Sequence, residues 1–219
     1  VQTCALPISG MFIALGGFAS QTMTFSIENI GLAKFASGAI FPVGLMLVVM
    51  AGGELFTGNS LMIIGLMDKK ITLQALLRNW VIVYLANFIG AVAFCLLISK
   101  SGLLDVAGGL LGATVIKTAI MKTSLPFSQA LIRGVLCNIM VVLAVWLATG
   151  AKDFTGKILG IWFPVMLFVL SGFEHCIANM YYIPLAIFSK ANPLYLEAGK
   201  ISIESTKNLS IAGLFKNLL

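Results

Sequence analysis

Long uncharged stretches alternate with short charged connections along this chain, and the stretches are long enough to cross a bilayer. Residues 5–27 carry no charged side chain, which predicts a first span at roughly 20 residues per crossing. Pro7 stands near its start, and Gly16, Gly17, Ala19 and Ser20 form a small-residue run suited to close helix packing. Glu28 and Lys34 mark the first connection. A second apolar segment, 38–67, is interrupted at 51–59 by Ala-Gly-Gly-Glu-Leu-Phe-Thr-Gly-Asn. Three glycines and a carboxylate in mid-span predict that the helix unwinds there. Membrane depth tolerates such unwinding only where the backbone is buried in protein or lines a cavity.

The polar residues from Asp68 to Arg78 lead to a third span at 80–98. Residues 99–130 hold Lys100, Asp105, Lys117 and Lys122 around a glycine-rich middle, and read as a connection. A fourth span is predicted at 131–149, with Arg133 at its entrance and Asn138 inside. Lys152, Asp153 and Lys157 then lead into a fifth segment, 158–188, which is interrupted by Ser-Gly-Phe-Glu-His at 171–175. Residues 189–219 read as the connection to a sixth helix that lies beyond the sequence.

The two interruptions match each other. Gly52-x-Glu54-x4-Asn59 recurs at an offset of 120 as Gly172-x-Glu174-x4-Asn179. Three crossings separate the copies, so they run in opposite directions. That is the pattern of an inverted repeat whose paired broken helices meet near the midplane and form the solute site. Glu54 and Glu174 are expected to brace the broken helix ends by accepting backbone N–H bonds, with Asn59 and Asn179 beside them. The fold class is an all-α polytopic membrane protein, one transmembrane channel domain over residues 1–219.

Composition agrees. The chain is 59% hydrophobic and only 10% charged, with a mean hydropathy of +1.03, which leaves too little charge to solvate the surface of a soluble domain. The net charge of +6 is spread between spans, which suits headgroup contact and excludes a nucleic-acid patch. It does not set the orientation, because the lysines and arginines divide between both sides. Cys4, Cys95, Cys137 and Cys176 are scattered, so neither a disulfide framework nor a metal site is expected. No cofactor is expected.

His175 is the only histidine in the sequence and follows Glu174 inside an apolar region. It reads either as a hydrogen-bonded packing residue or as part of a pathway, and intramembrane ionisable groups favour the second. An intramembrane hydrolase would need a nucleophile and a base on separate elements. Cys176 adjoins His175, so their side chains diverge on a helix, and Ser171 lacks a G-x-S context. A metalloenzyme would need a ligand cluster. No enzymatic activity is expected.

With Gly53-Glu54-Leu55-Phe56-Thr57-Gly58-Asn59 and Gly172-Phe173-Glu174-His175 through Ala178-Asn179-Met180, the chain resembles the formate/nitrite transporter family over roughly residues 10–219. Residues 1–9 depart from that family's N-terminal segment. The resemblance implies a homopentamer in the cell's inner membrane, built from aquaporin-like protomers of three plus three helices, each with its own pore for small monovalent anions. It assigns Thr57 as the loop threonine and His175 as the pore histidine. Phe41, Leu45, Leu55 and Phe168 fall at the hydrophobic constrictions. Asn138 falls at a polar pore-side position and Lys122 at a vestibule lysine.

A bare anion pays a large desolvation cost at the bilayer centre, but formate, nitrite and hydrosulfide each become a small neutral acid on taking a proton. Lys122 is then expected to concentrate anions, and the Leu and Phe rings to pass the neutral form. His175, with an ordinary pKa near 6.5, and Thr57 are expected to meet the solute as proton source or hydrogen-bond donors. Formate is the expected solute, with hydrosulfide the alternative. An aquaporin-type channel for neutral solutes is the other rival, although the paired Asn-Pro-Ala loops of that family are absent from the sequence.

Overall fold

In the computed structural model, residues 6–218 are described, and every regular element among them is helical. Leu6–Thr24 is α1, and Ile30–Ile40 and Val43–Met50 are α2 and α3. Pro42 separates α2 from α3, and the two together make one apolar run. After the first break come a 3-10 turn at Gly58–Leu61 and the short α4, Met62–Met67. Then follow α5 (Leu73–Lys100), α6 (Val106–Thr123), α7 (Phe127–Gly150), α8 (Phe154–Ser171) and α9 (Cys176–Ser189). The last elements are α10 (Pro193–Gly199), a 3-10 turn at Ile203–Thr206 and α11 (Ile211–Leu218).

Side-chain caps set several of these starts. Asn29 Oδ1 accepts from Leu32 N at 2.9 Å, Thr72 Oγ1 from Ala75 N at 3.2 Å, and Asp153 Oδ1 from Gly156 N at 2.7 Å. The Thr72 cap starts α5 well before residue 80, so the polar stretch ahead of the third span is already helical. The first helix ends at Thr24, short of residue 27, and Ala5 lies outside the described residues, as does Cys4.

The largest difference from the sequence reading lies at 99–130. Leu103–Thr123 is a helical run long and apolar enough to cross a membrane, as are Ile30–Met50, Leu73–Lys100, Phe127–Gly150 and Phe154–Ser171. Gly108 and Gly109 do keep left-handed backbone at the start of this run, whereas Gly112 is a packing position inside the helix. A Cβ on Gly112 would come within 2.6 Å of the Tyr195 ring. Lys122, taken for a loop lysine, has its charge partnered inside the bundle (below). Helix α1 stands outside this apolar set because Ser9, Ser20 and Gln21 lower its hydropathy, and all three are buried.

Helix α6 packs on α9 and α7 packs on α8, while α6 and α7 do not pair extensively with each other. The N-terminal part of α6 lies under α10, beyond the end of α9, and its C-terminal Lys122 reaches Glu174 at the start of α9. Helices α6 and α7 therefore lie against different halves of the second broken segment, α6 on α9 and α7 on α8.

Close approaches hold the centre. Helix α1 crosses α5 so tightly that a Cβ on Gly10 would sit 1.9 Å from Asn87 O, and one on Gly90 1.7 Å from Pro7 O. The core gathers Ile13, Leu45, Val115, Ile161 and Tyr181 from five helices. Large apolar side chains such as Ile89, Trp146 and Phe163 point outward, as a lipid-facing surface requires.

Candidate functional site

The site is built where the two breaks meet. Gly52 and Gly172, the glycines of the repeated motif, both adopt left-handed backbone, at φ 70° and 71°. That conformation ends each incoming helix at little cost for glycine. Gly172 terminates α8, and the chain re-enters helix at α9 with His175 as N-cap. Thr57 stands just ahead of the 3-10 turn that follows the first break. Across the gap, Thr57 Oγ1 lies 3.2 Å from His175 Nε2, and both side chains are buried.

The histidine's tautomer follows from its cap. Ala178 N donates to His175 Nδ1 at 3.0 Å. Nδ1 therefore carries the lone pair, and the hydrogen of the neutral ring sits on Nε2, facing Thr57. The ring also stacks on Phe168, with centroids 5.8 Å apart and planes 12° from parallel. Phe168 meets Phe41 edge-on at 5.8 Å. Leu45 and Leu55 are buried in the same apolar cluster.

Each repeated glutamate anchors a matching polar triad. Asn59 Nδ2 donates to Glu54 Oε2 at 2.9 Å and to Asn79 Oδ1 at 2.8 Å, and Asn79 Nδ2 returns to Glu54 Oε2 at 3.0 Å. In the second half, Asn179 Nδ2 donates to Glu174 Oε2 at 2.9 Å and to Asn217 Oδ1 at 2.7 Å, while Asn217 Nδ2 donates to Lys122 O at 3.0 Å. The hydrogen bonds seen at both carboxylates come from side chains, where the sequence reading looked to backbone N–H groups.

Lys122 is not a free vestibule cation. Its Nζ lies 2.9 Å from Glu174 Oε2, with both side chains largely buried, and 5.1 Å from the centroid of the Tyr182 ring. Paired in this way, the lysine offers little net charge to a distant anion, so the expectation that it concentrates anions by a bare positive charge loses its basis.

Two cavities flank the Thr57–His175 contact. One, of about 280 Å³, is lined by His175, Phe41, Phe168, Lys122, Thr118 and Tyr182. The other, of about 230 Å³, is lined by Thr57, Ser60, Asn138, Cys176, Asn179 and Asn217. Glu174 contributes to both walls. Leu45 and Leu55 line neither. Asn138 Nδ2 donates to Ser60 Oγ at 3.0 Å, which places it on the Thr57 side. Among the described residues no group of three or more His, Cys, Asp or Glu side chains could hold a metal ion.

Sequence reasoning missed Asn79, Asn87, Ser60 and Asn217. The available signal was a buried amide inside an apolar helix, which membrane depth seldom tolerates without a partner. Asn87 in α5 carries it.

The formate/nitrite transporter sequence model matches residues 7–219. A probable formate transporter of Methanothermobacter thermautotrophicus is 44% identical over 199 residues, covering 83% of this chain and 73% of that protein. The formate channel FocA of Escherichia coli K12 is 36% identical over 207 residues, covering 93% of this chain and 73% of its own. A solved structure described as a pentameric formate channel with formate bound superposes with a TM-score of 0.89 at 31% identity, covering 99% of this chain and 87% of that one.

Proposed function

The chain belongs to the formate/nitrite transporter family, and from that premise we propose that it forms a membrane channel for the small monovalent anions of weak acids, formate first, as a homopentamer with one pore per protomer. The observation that carries the reading is the contact between Thr57 and His175, two polar side chains from opposite breaks meeting in an apolar surround.

The tautomer refines the mechanism. Neutral His175 presents Nε2–H towards Thr57 and the passing solute, so it acts as a hydrogen-bond donor to the carboxylate oxygen. To act as a proton source it would need a second hydrogen on Nδ1, which would displace the Ala178 N–H. That would forfeit an N-cap interaction worth about 1 kcal/mol. The donor role therefore fits the geometry better than the proton-source role, and the proton that neutralises formate comes from solvent. Phe41 and Phe168 close the His175 side against bare ions, whose desolvation in an apolar surround is costly. Asn138 and Ser60 offer polar contacts on the Thr57 side.

Flux assays in liposomes test this. Formate flux should exceed hydrosulfide flux and rise as pH falls, because the neutral acid becomes more abundant. Dominant hydrosulfide flux would reassign the solute to the sulfide branch with the same pore. Passage of water or glycerol, with neither acid moving, would sink the anion reading.

A further inference from the structure

We propose that Asn87 is the positioning residue of the Thr57 loop, an inference that rests on the pore role of Thr57. Asn87 lies in the middle of α5 and is fully buried. Its Oδ1 accepts from Phe56 N at 3.1 Å, while its Nδ2 donates to Leu6 O at 2.8 Å and to Glu54 O at 3.1 Å. An N–H needs an oxygen and two carbonyls need an amine, so these partners fix the amide's orientation.

The need for such a side chain follows from the break. Glu54 and Phe56 lie in the non-helical stretch between α3 and the following 3-10 turn, where the carbonyl and the N–H have no intrahelical partner. Buried backbone polar groups must be paired, and at membrane depth water does not do it freely. One asparagine supplies the acceptor and the donor together, and so clamps the chain on both sides of Leu55. Thr57 is the next residue after Phe56, so any slip of the clamp moves its hydroxyl relative to His175.

The surroundings leave the clamp little play. Helix α1 passes against the Asn87 backbone so closely that a single Cβ at Gly10 would overlap it. The same face of α5 carries Tyr84, whose ring meets Phe56 edge-on at 4.9 Å, and Trp80, whose Nε1 donates to Asn59 O at 3.0 Å. Helix α5 thus holds the loop at Glu54, Phe56 and Asn59, with Asn87 as the contact nearest Thr57 along the chain that binds backbone on both sides.

The test uses the full chain in liposomes, with amide hydrogen exchange on the same samples. Asn87→Leu, similar in volume but without hydrogen bonds, should speed exchange in the peptide covering 53–58 and leave α9 protected. It should lower formate flux by about tenfold or more, the scale set by small misplacements of a contact group. On a Thr57→Ala background the further loss should be under about twofold, because the two changes act on one element. Should Asn87→Leu fail to assemble, Asn87→Asp keeps the acceptor for Phe56 and removes both donors, and should loosen the Glu54 side of the loop. Unchanged exchange at 53–58, or losses that multiply independently of Thr57, would overturn the proposal. Faster exchange in Asn87→Leu, with flux unchanged there and in Thr57→Ala, would remove the pore role of Thr57 while leaving the clamp in place.

Discussion

His175 performs two tasks with two nitrogens, and the tasks can be separated by substitution. Nδ1 caps α9 and Nε2 faces Thr57. Asparagine is among the best N-cap residues and keeps an N–H₂ donor, but cannot hold a proton near neutral pH. His175→Asn should therefore leave the protein folded and lower formate flux by about fivefold, the worth of one weakened hydrogen bond. If the histidine is only a donor, the pH dependence of the remaining flux should keep its slope, since that slope belongs to the acid. A flattened pH profile would restore the proton-source role. His175→Ala removes the cap as well, and should cost about 1 kcal/mol of stability in addition; thermal unfolding in detergent would measure it.

Gly52 and Gly172 show how far the two breaks repeat each other as elements. Both are left-handed, and a Cβ at either position would meet nothing within 4 Å. Alanine there should cost only the backbone term, about 1–2 kcal/mol at each. Gly53→Ala differs, since its Cβ would come within 2.3 Å of Ser9 Oγ and the buried hydroxyl would have to rotate away. Unfolding midpoints of the three variants check this, with Gly52→Ala and Gly172→Ala expected to fall by similar amounts. The breaks were legible in the sequence because the repeat places glycine, glutamate and asparagine in the same register twice. Asn79 and Asn217 were not, since each comes from an element outside the matched stretch, and a lone asparagine looks like a cap or a loop residue. Helix α6 is apolar enough to read as a span, and it was its lysines and glycines that made it look like a connection. Its Lys122 is neutralised by Glu174, 52 positions away, and pairing at that separation leaves no trace in local hydropathy. The family resemblance placed Thr57 and His175 on the pore; it did not carry the hydrogen-bond pattern that fixes which nitrogen of the ring is the donor.

Across the whole molecule the two halves differ in charge at the breaks. Among the described residues Glu54 is held by two asparagines, whereas Glu174 has an asparagine and Lys122. The second hub also ties more of the chain together. Lys122 comes from α6, Asn179 from α9 and Asn217 from α11, and Glu174 N donates to Arg133 O of α7 at 3.3 Å. A carboxylate this buried tolerates its charge because Lys122 is there. Lys122→Met should then cost on the order of 3 kcal/mol, as for other buried pairs left with one charge. Glu174→Gln alone leaves the lysine unpaired beside the Tyr182 ring and should also destabilise. Joined in one protein, the two substitutions remove both charges, and thermal stability should recover most of the way to the parent. Recovery of fold without recovery of formate flux would give the pair a role in conduction beyond holding α6 to α9. Losses that simply add would mean that Lys122 and Glu174 act separately, and that the polar hub is held by its asparagines.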